Sequence, residues 1–146
     1  MLASPQIDTD FHRLSMLEIA ADAESPFPHK DITEAIIGAA FEVYNELGYG
    51  FLERVYHRAL QVELLRRGRA AELEKRLVVR YKEVIVGEYD ADLIVDGVVV
   101  VEIKIAPQYD KRDEAQLLNE LKATSIKLGL LINFGRTKVE FKRLLF

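Results

Sequence analysis

The feature that most constrains the fold is an unbroken apolar run, Val98-Val99-Val100-Val101, that ends in Glu102-Ile103-Lys104. Four consecutive valines favour a strand, and the lack of apolar–polar alternation marks one covered on both faces. Such a strand must lie inside a sheet with material packed above and below it. Side chains alternate along a strand, so Glu102 and Lys104 project from one face while Ile103 points away. A carboxylate and an ammonium at the end of a buried strand need a reason. Either they pair with each other or the strand surfaces there, or they belong to a site.

The rest of the chain supplies the layers. From Asp31, Ile32, Ile36, Ala40, Val43 and Leu47 recur at helical spacing, and Asp31-Ile-Thr-Glu34 has the pattern of a capping box. Gly48 ends that helix. After Gly48-Tyr49-Gly50, the residues Leu52, Val55, Tyr56, Ala59, Leu60 and Leu64 mark a second helix closing at Gly68. Leu77–Tyr81, Val84–Val95 and Val98–Ile105 are rich in β-branched residues and read as a three-stranded meander. Asp113–Lys127 returns to helix with Gly129 as its stop, and Leu130–Phe134 and Val139–Leu145 are two further strands. The expected class is α/β, a central mixed sheet flanked by helices.

With 146 residues, the prior is one domain at roughly 100–200 residues each. Residues 1–30 stand apart: Asp8, Asp10, Glu18, Asp22 and Glu24 face only Arg13 and Lys30, so most of the net charge of −4 lies there. Phe11, Leu14 and Leu17 line one side of a short helix that Ser25-Pro26-Phe27-Pro28 would break. This leader is expected to be an arm, mobile or docked on a partner subunit, before a domain over 31–146; a homo-oligomer is one expectation. The absence of cysteine excludes disulfides, zinc–thiolate sites and thiol nucleophiles. No apolar stretch approaches the ~18 residues of a membrane span, and the start lacks a signal-peptide pattern, so the expected setting is cytoplasmic and membrane-free. An acidic chain does not grip nucleic acid through overall charge; it needs a basic patch or a metal.

The register of Val84–Val95 against Val98–Ile105 decides whether acids cluster. A two-residue Asp96-Gly97 loop would set Asp92 opposite Val101, away from Glu102. A three-residue loop, Val95-Asp96-Gly97 with Gly97 left-handed, pairs Ile94 with Val98. Asp92 then faces Val100, on the side of Glu102, and Asp90 lies opposite Glu102. The second register is expected. It gathers two or three carboxylates around one lysine, an arrangement that is costly unless a cation neutralises it. Hard oxygen ligands of this kind suit Mg2+ or Mn2+.

Gly50-Phe51-Leu52-Glu53-Arg54-Val55-Tyr56 reads as Gly-x-x-Glu-x-x-Tyr. With Asp92, Glu102-Ile103-Lys104, Gln116-Leu117-Leu118 and the segment Leu130–Gly135, the chain over roughly residues 30–146 resembles the bacterial GxxExxY family, part of the restriction-endonuclease-like PD-(D/E)XK superfamily. The resemblance implies a restriction-endonuclease-like core and a metal-dependent nuclease that hydrolyses phosphodiester bonds in DNA or RNA. By position, Asp92 and Glu102 would hold a divalent cation, Mg2+ or Mn2+. Glu53 would hold a second one or a water on the first. Lys104 would orient or activate the attacking water. Gln116 matches a family glutamine that braces the site, although Asp113-Glu-Ala-Gln116 is also a capping-box pattern. Relatives often carry His near position 113 and Tyr near 120, where this chain has Asp113 and Glu120. That departure bears on substrate positioning more than on metal binding.

Glu53 alone reads as a first-turn acid favoured by the helix dipole, and Tyr56 reads equally as a core tyrosine or a substrate contact. His12, His29 and His57 lack ligand spacing and read as incidental. Arg66, Arg67 and Arg69, near Lys75 and Arg76, form one basic cluster; Arg136, Lys138, Lys142 and Arg143 form another. Each reads first as a solvated face, and in a nuclease as a rest for a nucleic-acid backbone. The alternative is a nucleic-acid-binding or assembly protein that keeps the fold without efficient catalysis.

Overall fold

The computed structural model describes residues 27–146. The expected N-terminal arm, with Phe11, Leu14 and Leu17, lies outside the described residues except for its last four. In chain order the elements are α1 (Lys30–Leu47), α2 (Glu53–Arg66), β1 (Ala71–Tyr81), β2 (Val84–Val95), β3 (Val99–Ile105), a 3-10 turn (Lys111–Asp113), α3 (Glu114–Ala123), β4 (Leu128–Phe134) and β5 (Val139–Leu145). The five strands form one sheet in the order β1-β2-β3-β4-β5, and only β3 and β4 run parallel. Between them α3 makes the crossover that a parallel pair requires. The expected mixed α/β architecture is the one found. Among the described residues no helix is long and apolar enough to cross a membrane.

Strand alternation sorts the core into two layers. Leu93, Val95, Val99, Val101 and Ile103 join Leu128, Leu130, Ile132 and Phe134 beneath α1 and α2, against Ile36, Tyr56, Leu60 and Leu64. Ile94, Val100 and Leu131 face the other way, against Leu117 and Leu121 of α3. Val99, Val100 and Val101 are therefore buried on alternate sides, and β3 is central, as its pattern requires, while Val98 falls in the turn and is half-buried.

The β2–β3 turn differs in detail from expectation. The observed pairs are Leu93↔Val101, Ile94↔Val100 and Val95↔Val99, so the three-residue loop is Asp96-Gly97-Val98. Asp96 (φ 52°) and Gly97 (φ 71°) are both left-handed, and Val98 N–H donates to Val95 O at 3.0 Å. Asp96 is held in that conformation by Ala70 N–H at 2.8 Å and Arg69 at 3.1 Å on its two carboxylate oxygens. The register is shifted by two residues from the expected one. A shift of two keeps every side chain on its face, so Asp92 stays on the side of Glu102 but comes level with Glu102 itself. Asp90 is not opposite Glu102: it pairs with Arg76 of β1 across the ladder.

Other boundaries also moved. α1 begins at Lys30 after a left-handed His29 with no side-chain cap, so the Asp31–Glu34 capping box does not form; Glu34 pairs with Lys30 instead. β1 starts at Ala71 rather than Leu77, its polar first half masking the strand. Gly129 is not a helix stop but an internal residue of β4, paired with Val100 and Leu144. A Cβ on Gly129 would fall 2.9 Å from Cγ, Cδ1 and Cδ2 of Leu117, so glycine is what lets α3 approach the sheet.

Gly129→Ala is therefore expected to destabilise the protein by about 1–3 kcal/mol through overpacking. Leu117→Ala alone should cost about 2–5 kcal/mol, and the double variant clearly less than the sum. Urea unfolding of the three variants checks this; strict additivity would place the contact elsewhere.

Candidate active site

The β2/β3 ladder stops at Leu93↔Val101. At the next position the strands exchange side-chain rather than backbone bonds. Ile103 N–H donates to Asp92 Oδ2 at 2.7 Å, and Asp92 N–H donates to Glu102 Oε2 at 3.2 Å. The two acids thus stand side by side where the ladder opens. Glu102 is buried and Asp92 half-buried. Two residues along β3, Lys104 Nζ donates to Gln116 Oε1 at 3.1 Å rather than pairing with Glu102.

Each helix layer adds side chains one turn apart. From α3, Gln116 Nε2 donates to Glu102 Oε1 at 3.0 Å and to Glu120 Oε2 at 3.1 Å. Gln116 is therefore not part of a capping box; Asp113, at the N-cap, makes no side-chain cap bond. From α2 come Glu53 and His57. The helix starts at Glu53 because the preceding loop is pinned: Tyr56 is fully buried, stacks on Phe134 with ring centroids 4.8 Å apart, donates its hydroxyl to Gly48 O at 2.5 Å and accepts Phe51 N–H at 3.4 Å. Gly50, at φ 118°, gives the loop a backbone that other residues rarely adopt. Tyr56 is thus a core residue that sets the position of Glu53, not an exposed contact.

The electrostatics follow from crowding. Burial pushes the Glu102 carboxyl up to about 11, with the Glu120 hydrogen bond and the Asp92 charge adding to the rise. Glu120, fully buried, is also raised, by burial first. Its Oε1 has no hydrogen-bond partner. Glu53 is solvent-accessible and is raised by partial burial and then by Asp92, with His57 and Lys104 opposing. For His57, burial acts downward, but Asp92, Glu53 and Glu74 outweigh it and the group is raised. Its Nε2 lies 3.3 Å from Asp92 Oδ2, and Nδ1 lies 4.0 Å from Glu74. A cavity of about 420 Å3, lined by His57, Glu74, Arg76, Asp90 and Asp92, opens beside them.

Asp92, Glu102, Lys104 and Gln116 are directly linked, with Glu53 within reach of their charges. The basic clusters lie elsewhere. Arg66, Arg67 and Arg69 sit at the far end of α2, about 20 Å from Glu53 at 1.5 Å per residue. Arg67 pairs with Glu63, and Arg69 pairs with Asp96 and Asp31. Arg136 and Lys138 flank the β4–β5 turn. Arg136 N–H donates to Pro107 O at 3.4 Å, and its guanidinium lies over Tyr49 at 5.9 Å, so this turn sits just past the end of β3. Arg143 faces α1, bonding Thr33 at 3.2 Å, while Lys142 is exposed. The second cluster is therefore split. His57, which the sequence left aside, and Glu120, noted there only as a departure from the family pattern, lie within the site. The helical offsets 53/57 and 116/120 were the available signal.

The acid pair yields a prediction for the protein without cation. Carboxyls whose folded pKa is raised contribute most to stability below their unfolded value. That contribution is lost as pH rises toward the folded value, here from about 4.5 to about 11 for Glu102. Glu120→Gln removes one competing charge and should stabilise the protein at pH 8 by about 1 kcal/mol or more, the cost of a tenfold change in a protonation equilibrium. At pH 4 the variant and the wild type should agree. Urea unfolding in EDTA at both pH values tests this, and an equal effect at both would deny the charge crowding.

A family model described as the PD-(D/E)XK nuclease superfamily matches residues 30–144. No curated protein matches the sequence. The crystal structure of SSO0001 aligns with a TM-score of 0.51 and 18% identity over 88% of this chain, which spans 61% of the length of that protein, a likeness of fold. With the match extending from the first residue of α1 almost to the end of β5, the chain belongs to the PD-(D/E)XK nuclease superfamily.

Proposed function

We propose that this protein is a divalent-metal-dependent nuclease of the GxxExxY type that hydrolyses phosphodiester bonds in DNA or RNA. The observation that carries the reading is the pairing of Asp92 with Glu102 where the ladder opens, with Lys104 on the same strand and Gln116 joining it to Glu102.

The residues fit a hard cation. The donors are carboxylate oxygens, their negative charge is not balanced locally, and a buried Glu120 oxygen lacks a partner. Among the described residues no three His, Asp or Glu side chains converge as a metal cage; a cation held by two protein carboxylates would complete its shell with water and phosphate, the habit of Mg2+. Asp92 and Glu102 would hold Mg2+ or Mn2+, with Glu53 at the margin. When bound, the cation polarises the phosphate and makes water a better nucleophile.

The remaining roles belong to the chain. Lys104 orients the attacking water and offsets the charge that develops on the phosphate. Gln116 holds Lys104 through Oε1 and restrains Glu102 through Nε2. Arg136 and Lys138, just past β3, are the nearer rest for the nucleic-acid backbone; Arg66, Arg67 and Arg69 would meet it only with a longer substrate. A reducing, cytoplasmic setting and assembly into oligomers are part of the same proposal. The rival reading, a binding or assembly protein without efficient turnover, draws on Asp113 and on a Glu120 that crowds Glu102.

Calorimetric titration with Mg2+ and Mn2+, run beside cleavage assays on DNA and RNA, separates the two. Asp92→Ala should abolish cation binding. Lys104→Ala should keep it while cleavage falls about 100–1000-fold. Tight nucleic-acid binding with no cleavage under either cation would replace the nuclease by the rival.

A further inference from the structure

His57 is 7% exposed, and neither ring nitrogen completes a well-aligned hydrogen bond. Burying an imidazole without partners costs free energy that packing alone recovers more cheaply with leucine. The acceptors that face its nitrogens are specific. Nε2 is 3.3 Å from Asp92 Oδ2, and Nδ1 is 4.0 Å from Glu74 across the 420 Å3 cavity. Glu74 reaches this place from the middle of β1 with a left-handed backbone (φ 52°), which turns it out of the regular ladder. His57 also lies one helical turn after Glu53, on the same face of α2.

The distribution of bonds on Asp92 gives the imidazole its role. Oδ2 already accepts Ile103 N–H at 2.7 Å, and His57 approaches that same oxygen. No hydrogen bond engages Oδ1 among the described residues. A second donor on Oδ2 would restrain the carboxylate plane and leave the other oxygen to face a ligand. We infer that His57 is a positioning residue: its Nε2–H holds Asp92 so that its second oxygen is presented to the cation. The inference rests on the reading of Asp92 as a cation ligand. Hydrogen bonds of this kind are often long before ligand binds and tighten with it. Either the neutral Nε2–H form or the imidazolium supplies the donor.

Partners that orient metal ligands are worth about 10–100-fold in affinity. The test is calorimetric Mg2+ titration of the full chain as wild type, His57→Leu, His57→Gln and Asp92→Ala, with the thermal midpoint of each variant in EDTA. His57→Leu should weaken binding about 10–100-fold with no loss of midpoint. His57→Gln, which keeps an N–H donor, should recover most of the affinity. Equal affinity in His57→Leu and wild type, or equal weakening in Leu and Gln, overturns the inference. If Asp92→Ala binds Mg2+ like wild type, the underlying metal reading fails instead. A second measurement stands apart from folding of the variants. The side-chain 15N resonance of His57, identified by its loss in His57→Gln, should move on adding Mg2+ to wild type. It should not move in Asp92→Ala, and a silent wild-type resonance also overturns the inference.

Discussion

Where β2 and β3 part after Leu93 and Val101, two backbone amides beside the opening are taken by carboxylates: Ile103 N–H by Asp92, and Asp92 N–H by Glu102. A buried amide left without a partner costs about 1–3 kcal/mol, so each acid has a structural duty apart from any ligand. The acids are fixed by backbone amides of the central strands and not by loops. This is also why β3 can carry a charge so close to its fully apolar valines. Glu102 lies one residue beyond Val101 in sequence, but it occupies the gap that the opened ladder leaves.

The two helix layers meet at that opening. From one side α2 brings Glu53 and His57, and from the other α3 brings Gln116 and Glu120, each pair four residues apart. Any helix packed with its axis past the opening offers such a pair, because that spacing puts two side chains on one face. The result is four carboxyls, Glu53, Asp92, Glu102 and Glu120, against Lys104 and His57. Gln116 cannot balance charge; its amide group only distributes hydrogen bonds, donating to both glutamates and accepting from Lys104. Without a cation the excess favours the protonated form, the direction in which burial and the neighbouring acids push the Glu102 carboxyl.

How much of this was legible in the sequence depends on how local each determinant is. Strand parity is local, so the placement of Asp92 on the side of Glu102 followed from the loop length even though the register was two residues off. The exact pairs were not legible, because they depend on Asp96 taking a left-handed conformation that Arg69 and Ala70 stabilise from 26 or 27 residues away. Gly129 was misread for the same reason: a glycine after a helix looks like a stop unless one knows that Leu117 will lie against it. Asp31-Ile-Thr-Glu34 offered a cap, but Lys30 takes Glu34. His57 was invisible as a site residue because its relevance comes only from which face of the helix packs on the opening, and Glu120 was noted only as a departure from the family pattern. Gln116 was read through family resemblance, and geometry then removed its capping alternative.

The position of the basic residues matters more than their number. Arg67, Arg69 and Arg76 are engaged by Glu63, by Asp96 and Asp31, and by Glu88 and Asp90, so little of their charge is left to attract an anion. Arg136 and Lys138 make no ion pair among the described residues, and they stand past the end of β3, on the Lys104 side of the opening. On the other side of Asp92 lies the cavity walled by Glu74, His57, Asp90 and the Arg76 that pairs with Asp90. An approaching polyanion therefore meets an unpaired positive turn on one flank and an acid-rich wall with its arginine already engaged on the other. On the proposed reading, this polarity draws the phosphate backbone toward the β4–β5 turn and away from the His57 cavity. The net negative charge of the chain then opposes association only in the far field, while the local gradient at the opening sets the direction of approach.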